Sequence, residues 1–304
     1  MSALFFLYAI STLPLSKLLL THMQPWYLIG LRMLIAGICM LAYRAFARQS
    51  ISTLLKKHYG ALAHIAFWAI LVPYYLRYWG LQHGVQPRAD LLCFAGPFIT
   101  YMVTGFLTLE RFTRIKTVSL ALGYCGLLIS WGRPLSAYMT PLQWADGALL
   151  LSVMSFSYGW LRVRELVVDH HCCPIAINAI TMTSAGIIAL CIAWYHAPLV
   201  IVGNGIHCFL LLAVVIGISN LFAHNLYGLL LKRYSLTLMQ LASFSVPLFA
   251  CYRNSIGDGQ ACTMQLVGAT IVILMAIGLF NYDEQTISQE NYLENNGIER
   301  DIKE

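Results

Sequence analysis

Apolar runs about as long as a bilayer is thick recur along the chain, separated by short polar stretches. Such runs predict membrane-spanning helices. They fall near residues 3–20, 27–47, 58–80, 88–109, 114–132, 143–163, 174–195, 206–231, 236–256 and 262–280. An all-α integral membrane protein of ten transmembrane helices is therefore expected, with no room for a separate soluble domain. The first run lacks a basic leader and a small-residue cleavage site, so it reads as a retained helix rather than a signal peptide. After the last run, residues 281–304 carry seven acids and two bases and read as an acidic, disordered tail.

Composition agrees. The chain of 304 residues is 59% hydrophobic and 11% charged, whereas a soluble domain carries about a quarter charged residues. The nine cysteines sit mostly in apolar runs, as small buried hydrophobes do, and no spacing suggests a disulfide framework. No phosphate-binding loop is present, so no ATP hydrolysis and no cofactor are expected. Without the tail, 17 of the 19 bases face only 6 of the 13 acids. Those bases sort by loop. Arg44, Arg48, Lys56 and Lys57, then Arg111, Arg114 and Lys116, then Arg162 and Arg164, then Lys232 and Arg233 follow the second, fourth, sixth and eighth runs. The alternate loops carry little beyond Arg88, Arg133 and Arg253. Basic loops stay cytoplasmic, so both termini are expected in the cytoplasm of a multi-pass protein of a bacterial inner membrane.

The pattern repeats. Shifted by 150 residues, Leu81 to Pro97 falls on Leu231 to Pro247; each leaves one helix, crosses a short loop and meets a Pro inside the next. At an offset of 149, Pro25 falls on Pro174 and Ala36-Gly37 on Ala185-Gly186. An odd number of helices per half forces opposite insertion. Two inverted-topology repeats of five helices, residues 1–132 and 133–280, are expected, with a binding site near the midplane where they meet.

Three stretches resemble the EamA-type members of the drug/metabolite transporter superfamily. They are Leu18-Leu19-Leu20 through Pro25 to Gly30-Leu31-Arg32-Met33-Leu34-Ile35-Ala36, the Pro97 helix ending in Leu109-Glu110-Arg111-Phe112-Thr113, and Gln265-Leu266-Val267-Gly268-Ala269. Where that family ends its fourth helix in Gly-Glu-Arg-Leu-Thr, Leu109 replaces the Gly. The second half reads Ile256-Gly257-Asp258-Gly259-Gln260, with the acid lost or displaced. The resemblance implies ten helices in a basket around a central cavity. It also implies secondary transport of a small metabolite such as an amino acid, a nucleotide sugar or S-adenosylmethionine. Lys17 and Arg32 match positions where the family often carries a base.

One tetrapeptide points elsewhere. Asp169-His170-His171-Cys172 spells the signature of the membrane protein acyltransferases. That chemistry needs a Cys-rich zinc domain ahead of the motif, yet Pro141 to Asp169 contains no Cys. Adjacent residues cannot easily converge on one tetrahedral ion. A polar turn before Pro174 is expected instead, with no metal and no catalytic residue.

Charges at membrane depth are candidates for function. Arg32 lies among apolar neighbours. Arg77, Arg88 and Asp90 are expected to snorkel or to pair among themselves. Asn220 and His224, four residues apart, share a helix face and are expected to look into the cavity. Tyr74, Tyr75, Phe94, Tyr158 and Phe244 could stack a planar ring or hold a cation over their faces. Pro73, Pro97 and Pro247 each remove a backbone hydrogen bond and are expected as points of helix breakage or gating.

This inventory is basic and aromatic but poor in acids. It suits a small carboxylate-bearing or zwitterionic metabolite, of amino acid or S-adenosylmethionine/S-adenosylhomocysteine type, moved by alternating access. The partners implied are that substrate and the lipid bilayer, not nucleic acid. Monomer and dimer both stay open.

Overall fold

Prolines and small polar residues set where the helices begin. The computed structural model describes residues 13–49, 51–85, 88–107, 110–132, 135–139, 141–196, 198–257 and 264–295. In chain order its helices are α1 (Leu13–His22), α2 (Pro25–Phe46), α3 (Ser52–His83), α4 (Arg88–Cys93), α5 (Gly96–Phe106), α6 (Arg114–Trp131), α7 (Trp144–Arg164), α8 (Pro174–His196), α9 (Gly205–Leu230), α10 (Leu236–Ala242), α11 (Ser245–Gly257) and α12 (Met264–Asn295). Pro25 and Pro174 open α2 and α8, where a missing N–H costs nothing. Thr113, Asn204 and Ser235 cap α6, α9 and α10 by accepting from backbone N–H groups. Gly132 ends α6 in the left-handed conformation, with φ 60°.

Among the described residues, six helices are long and apolar enough to cross a membrane: α2, α3, α4 with α5, α8, α9 and α12 as far as Glu290. Large apolar side chains such as Ile187, Ile188, Phe209, Leu210, Leu274 and Met275 are exposed on α8, α9 and α12. In water so much exposed apolar surface would aggregate; against lipid it is solvated. The chain is a multi-pass membrane protein.

Two of the expected spans are broken in two. Residues 88–109 divide at Phe94-Ala95, and 236–256 divide at Ser243-Phe244. The cause is local. A proline ring collides with the carbonyl four residues back. For Pro97 that is Cys93, where α4 ends; for Pro247 it is Ser243, directly after α10. Pro73 acts differently, because α3 relaxes into a π-turn over Ala66–Leu71 just before it. The same relaxation occurs in α9 over Ile216–Ala223.

The expected acidic tail needs correcting. α12 stays helical to Asn295, well past residue 281. Asp283 is buried and accepts from the Thr113 hydroxyl at 2.8 Å. Net acidity suggested disorder, but the segment docks on a polar groove made by distant loops. Residues 3–12 of the first expected span, Leu109, Asp258-Gly259-Gln260 and residues 296–304 lie outside the described residues.

α2 packs along α8, and α6 along α12. The first pair approaches through glycines placed reciprocally. A Cβ on Gly37 would stand 2.6 Å from the Thr183 backbone nitrogen, and one on Gly186 would stand 2.4 Å from that of Leu34. Backbone cannot step aside as a side chain can. Gly186→Leu is therefore expected to destabilise the fold by about 3 kcal/mol or more, read as loss of monodisperse protein in size-exclusion chromatography. Gly147→Leu, where a Cβ meets open space, should elute as the parent does.

Candidate functional site

Arg32 lies about two turns into α2 and is 2% exposed. Its Nε donates to Asn220 Oδ1 at 3.1 Å and its Nη2 to Ser219 Oγ at 3.1 Å. Its Nη1 donates to the hydroxyls of Tyr78 and Ser16. The guanidinium also stands over the Tyr74 ring, 5.2 Å from its centroid. Every one of these partners is neutral. Among the described residues no carboxylate lies within ion-pair distance of it. A buried cation without a counter-ion is costly, which makes Arg32 the candidate centre of an anion-binding site.

Ser219 and Asn220, which meet Arg32, lie within the π-turn of α9, and His224 follows it directly. The Ser219 carbonyl can only accept, so His224 Nδ1 donates to it at 3.1 Å. In the neutral ring Nε2 then accepts from the Tyr74 hydroxyl at 3.2 Å. His224 thus aims Tyr74, and Tyr74 supports Arg32. Trp160 of α7 lies beside His224 and Tyr227, with ring centroids 5.7 and 4.4 Å away. Its indole N–H is buried and meets no acceptor among the described residues. A donor of strong hydrogen bonds left bare in a core is costly, and this one lies next to the Arg32 cluster.

Not all the expected residues meet here. Arg32, Tyr74, Asn220 and His224 form one cluster. Tyr75, the next residue of α3, points away and stacks on Trp26 at 4.1 Å. Tyr158 sits with His64, whose Nε2 lies 3.0 Å from its hydroxyl. Phe94 packs on Trp131. Phe244 is fully buried, near Gly123 and Tyr124. Those three were chosen by residue type, and type does not say which way a side chain points. Ser16 and Tyr227 belong to the cluster without a sequence signal of their own. Tyr78 and Trp160 were visible only as members of a dense aromatic population.

The flanking charges differ from expectation too. Asp90 pairs with Lys17, not with Arg88 or Arg77. Arg88 is buried rather than snorkelling. It holds Asp146 of α7 through two bonds, Nε to Oδ1 at 3.0 Å and Nη2 to Oδ2 at 2.5 Å, and donates to the Pro141 carbonyl at 2.7 Å. Asp146 Oδ2 also accepts from the Gln143 N–H at 2.8 Å, closing a capping box. The pair ties the start of α4 to the start of α7.

α7 runs on as a π-turn over Glu165–Asp169, and His170-His171-Cys172 then form the connection to α8, with His171 at φ 52°. The Cys172 thiol leans on the His170 carbonyl at 3.6 Å. Burial pushes that thiol upward from its ordinary pKa, with Lys57 opposing. A nucleophilic cysteine needs the opposite shift. No group of three metal-ligating side chains occurs among the described residues. Cys172→Ser is expected to keep transport within about twofold of the parent, since nothing at the turn depends on a thiolate; initial-rate uptake would check this.

The first 132 residues match the family model described as EamA-like transporter family. A protein of Chlamydia muridarum named S-adenosylmethionine/S-adenosylhomocysteine transporter is 26% identical over 286 residues, covering 90% of this chain and 88% of its own. A protein of the same name from Chlamydia trachomatis serovar L2 is 25% identical over 289 residues, covering 90% and 86%. One crystal structure superposes with a TM-score of 0.71 at 17% identity, over 91% of this chain and 94% of that one.

Proposed function

We propose that this chain is an EamA-type transporter of the drug/metabolite transporter superfamily and that it moves S-adenosylmethionine and S-adenosylhomocysteine across the membrane by alternating access. The observation that carries the chemistry is Arg32, a buried guanidinium with neutral partners only. The α-carboxylate common to both compounds supplies the missing anion in a charge-assisted, fork-shaped contact. The Trp160 N–H offers a donor for a ring nitrogen of the adenine. The faces of Tyr74 and Trp160 give the sulfonium a cation–π surface in a site that lacks a carboxylate to neutralise it. The likeness to the two chlamydial proteins runs nearly end to end, which favours this pair over a free amino acid.

The architecture we propose has ten spans, with α4 joined to α5 and α10 to α11, arranged as two inverted repeats of five. Four coincidences support it. The two broken helices break at equivalent places, Phe94-Ala95 and Ser243-Phe244, 149 residues apart. Two of the three π-turns among the described residues start 150 residues apart, at Ala66 and Ile216, while the third, Glu165–Asp169, follows α7. Gly37 and Gly186 are 149 residues apart, and so are the residues they meet, Leu34 and Thr183. In this conformation Arg32 is closed off, so the substrate reaches it only when one half tilts against the other. We place both termini and the basic loops in the cytoplasm.

Counterflow in proteoliposomes tests the function. Labelled S-adenosylmethionine should enter in a saturable way and enter faster when S-adenosylhomocysteine is inside. An amino acid panel run in parallel should show no such stimulation. Stimulation by amino acids instead, with neither adenosyl compound moving, would overturn the assignment.

A further inference from the structure

A polar cavity of about 490 Å³ opens on the face that carries the basic loops. The ends of α5, α6, α7 and α10 and one side of α12 enclose it. Five bases line it: Arg111, Lys116, Arg164, Lys232 and Arg233. Against them stand two acids, Glu110 and Glu284. Glu110 accepts from the Thr237 hydroxyl at 3.0 Å, and its second oxygen is buried without a partner among the described residues. Burial raises the pKa of Glu110, with Lys116 and the Thr237 hydrogen bond opposing. Arg111, Lys232 and Arg233 are exposed, and their fields reach into the opening. Thr100 and Ser157, both buried, meet at 2.7 Å deeper between α5 and α7.

The two compounds assigned above differ by one methyl group and one charge. The methylated one is a sulfonium and carries net +1 at neutral pH; its demethylated product is a thioether and carries none. The carboxylate and ammonium are common to both, so Arg32 cannot separate them by charge. The basic cavity can. We propose that it is a charge-selective mouth that admits the zwitterionic thioether and repels the cationic sulfonium. This inference rests on the substrate reading above. Its effect is one-sided: on the basic face the carrier loads the demethylated product in preference, and a sulfonium that arrives from the other side is expelled rather than rebound. A cleft lined by one sign of charge changes local concentration and on-rate by tenfold or more, and the effect fades as salt screens it.

The test compares the two faces of the membrane. Half-saturating concentrations for S-adenosylmethionine and S-adenosylhomocysteine are measured in right-side-out and in inverted vesicles. With the basic face toward the bath, the ratio of the first to the second should exceed the ratio from the opposite face by about tenfold. Arg111→Gln with Lys232→Gln and Arg233→Gln should bring it down to the opposite-face value. So should about 0.5 M potassium chloride on the unaltered protein, which decides the matter even if the triple variant does not fold. Equal ratios from both faces, or a ratio that neither neutralisation nor salt changes while flux persists, would overturn the mouth. Folded protein that moves neither compound from either face would remove the substrate reading, and this inference with it.

Discussion

Arg32→Ala should insert and fold, yet lose transport by roughly a hundredfold or more. The expectation comes from asymmetry in what the side chain touches. Its four hydrogen-bond partners, Asn220, Ser219, Tyr78 and Ser16, are neutral and can bond to water or to one another once it is gone. The substrate carboxylate proposed above would lose its only cationic partner. Removing one side of a buried charge pair costs about 2–5 kcal/mol, and each 1.4 kcal/mol is tenfold in affinity. The variant also relieves the fold of an uncompensated cation, so its thermal stability should hold or rise. Initial-rate uptake beside a melting curve in detergent separates the two effects. Arg32→Lys is the sharper control. It keeps the charge but not the planar fork, and should recover only part of the activity. Equal uptake by Arg32→Ala and the parent would remove Arg32 from the site.

The second large effect concerns folding. Asp146→Ala leaves Arg88 buried at the start of α4 without the carboxylate that pairs with it. Breaking a buried ion pair from one side costs about 3–5 kcal/mol, and here the capping box of α7 goes with it. A marked drop in melting temperature and in yield is expected. Arg88→Ala should behave similarly, because it strands Asp146. Arg88→Met with Asp146→Leu should recover much of the loss, since an apolar pair of similar size avoids the desolvation penalty. A double variant as unstable as the sum of the single ones would mean the two residues act independently.

The parts of this molecule that were readable in advance are those a short window encodes. Pro25 and Pro174 mark real helix starts, and Asn220 with His224 stands out as polar residues in an apolar helix. Arg32 was legible for the same reason. The partner of Arg88 was not, because Asp146 is 58 residues away and looks like any acid in a first helical turn. The π-turn in α9 was also invisible, since hydropathy does not register one residue of slack in a helix. It nevertheless contains both Ser219 and Asn220, which reach Arg32. Residues 281–295 misled because composition reports what a segment is made of, not what it rests on; the Thr113 hydroxyl that receives Asp283 is 170 residues earlier. Phe94, Tyr158 and Phe244 show the same limit for aromatics, whose identity is local but whose direction is set by packing.

The reciprocal contact between α2 and α8 restricts how the molecule can move. With Gly37 against Thr183 and Gly186 against Leu34, the two backbones come close at two points where neither glycine has room for a Cβ. A slide along the common axis by even one residue would drive a Cβ into main chain at both points. Rotation about the line joining them disturbs neither contact. The pair therefore works as a pivot that resists translation and permits tilt. Displacement is left to the elements that proline has already cut, α4 with α5 and α10 with α11.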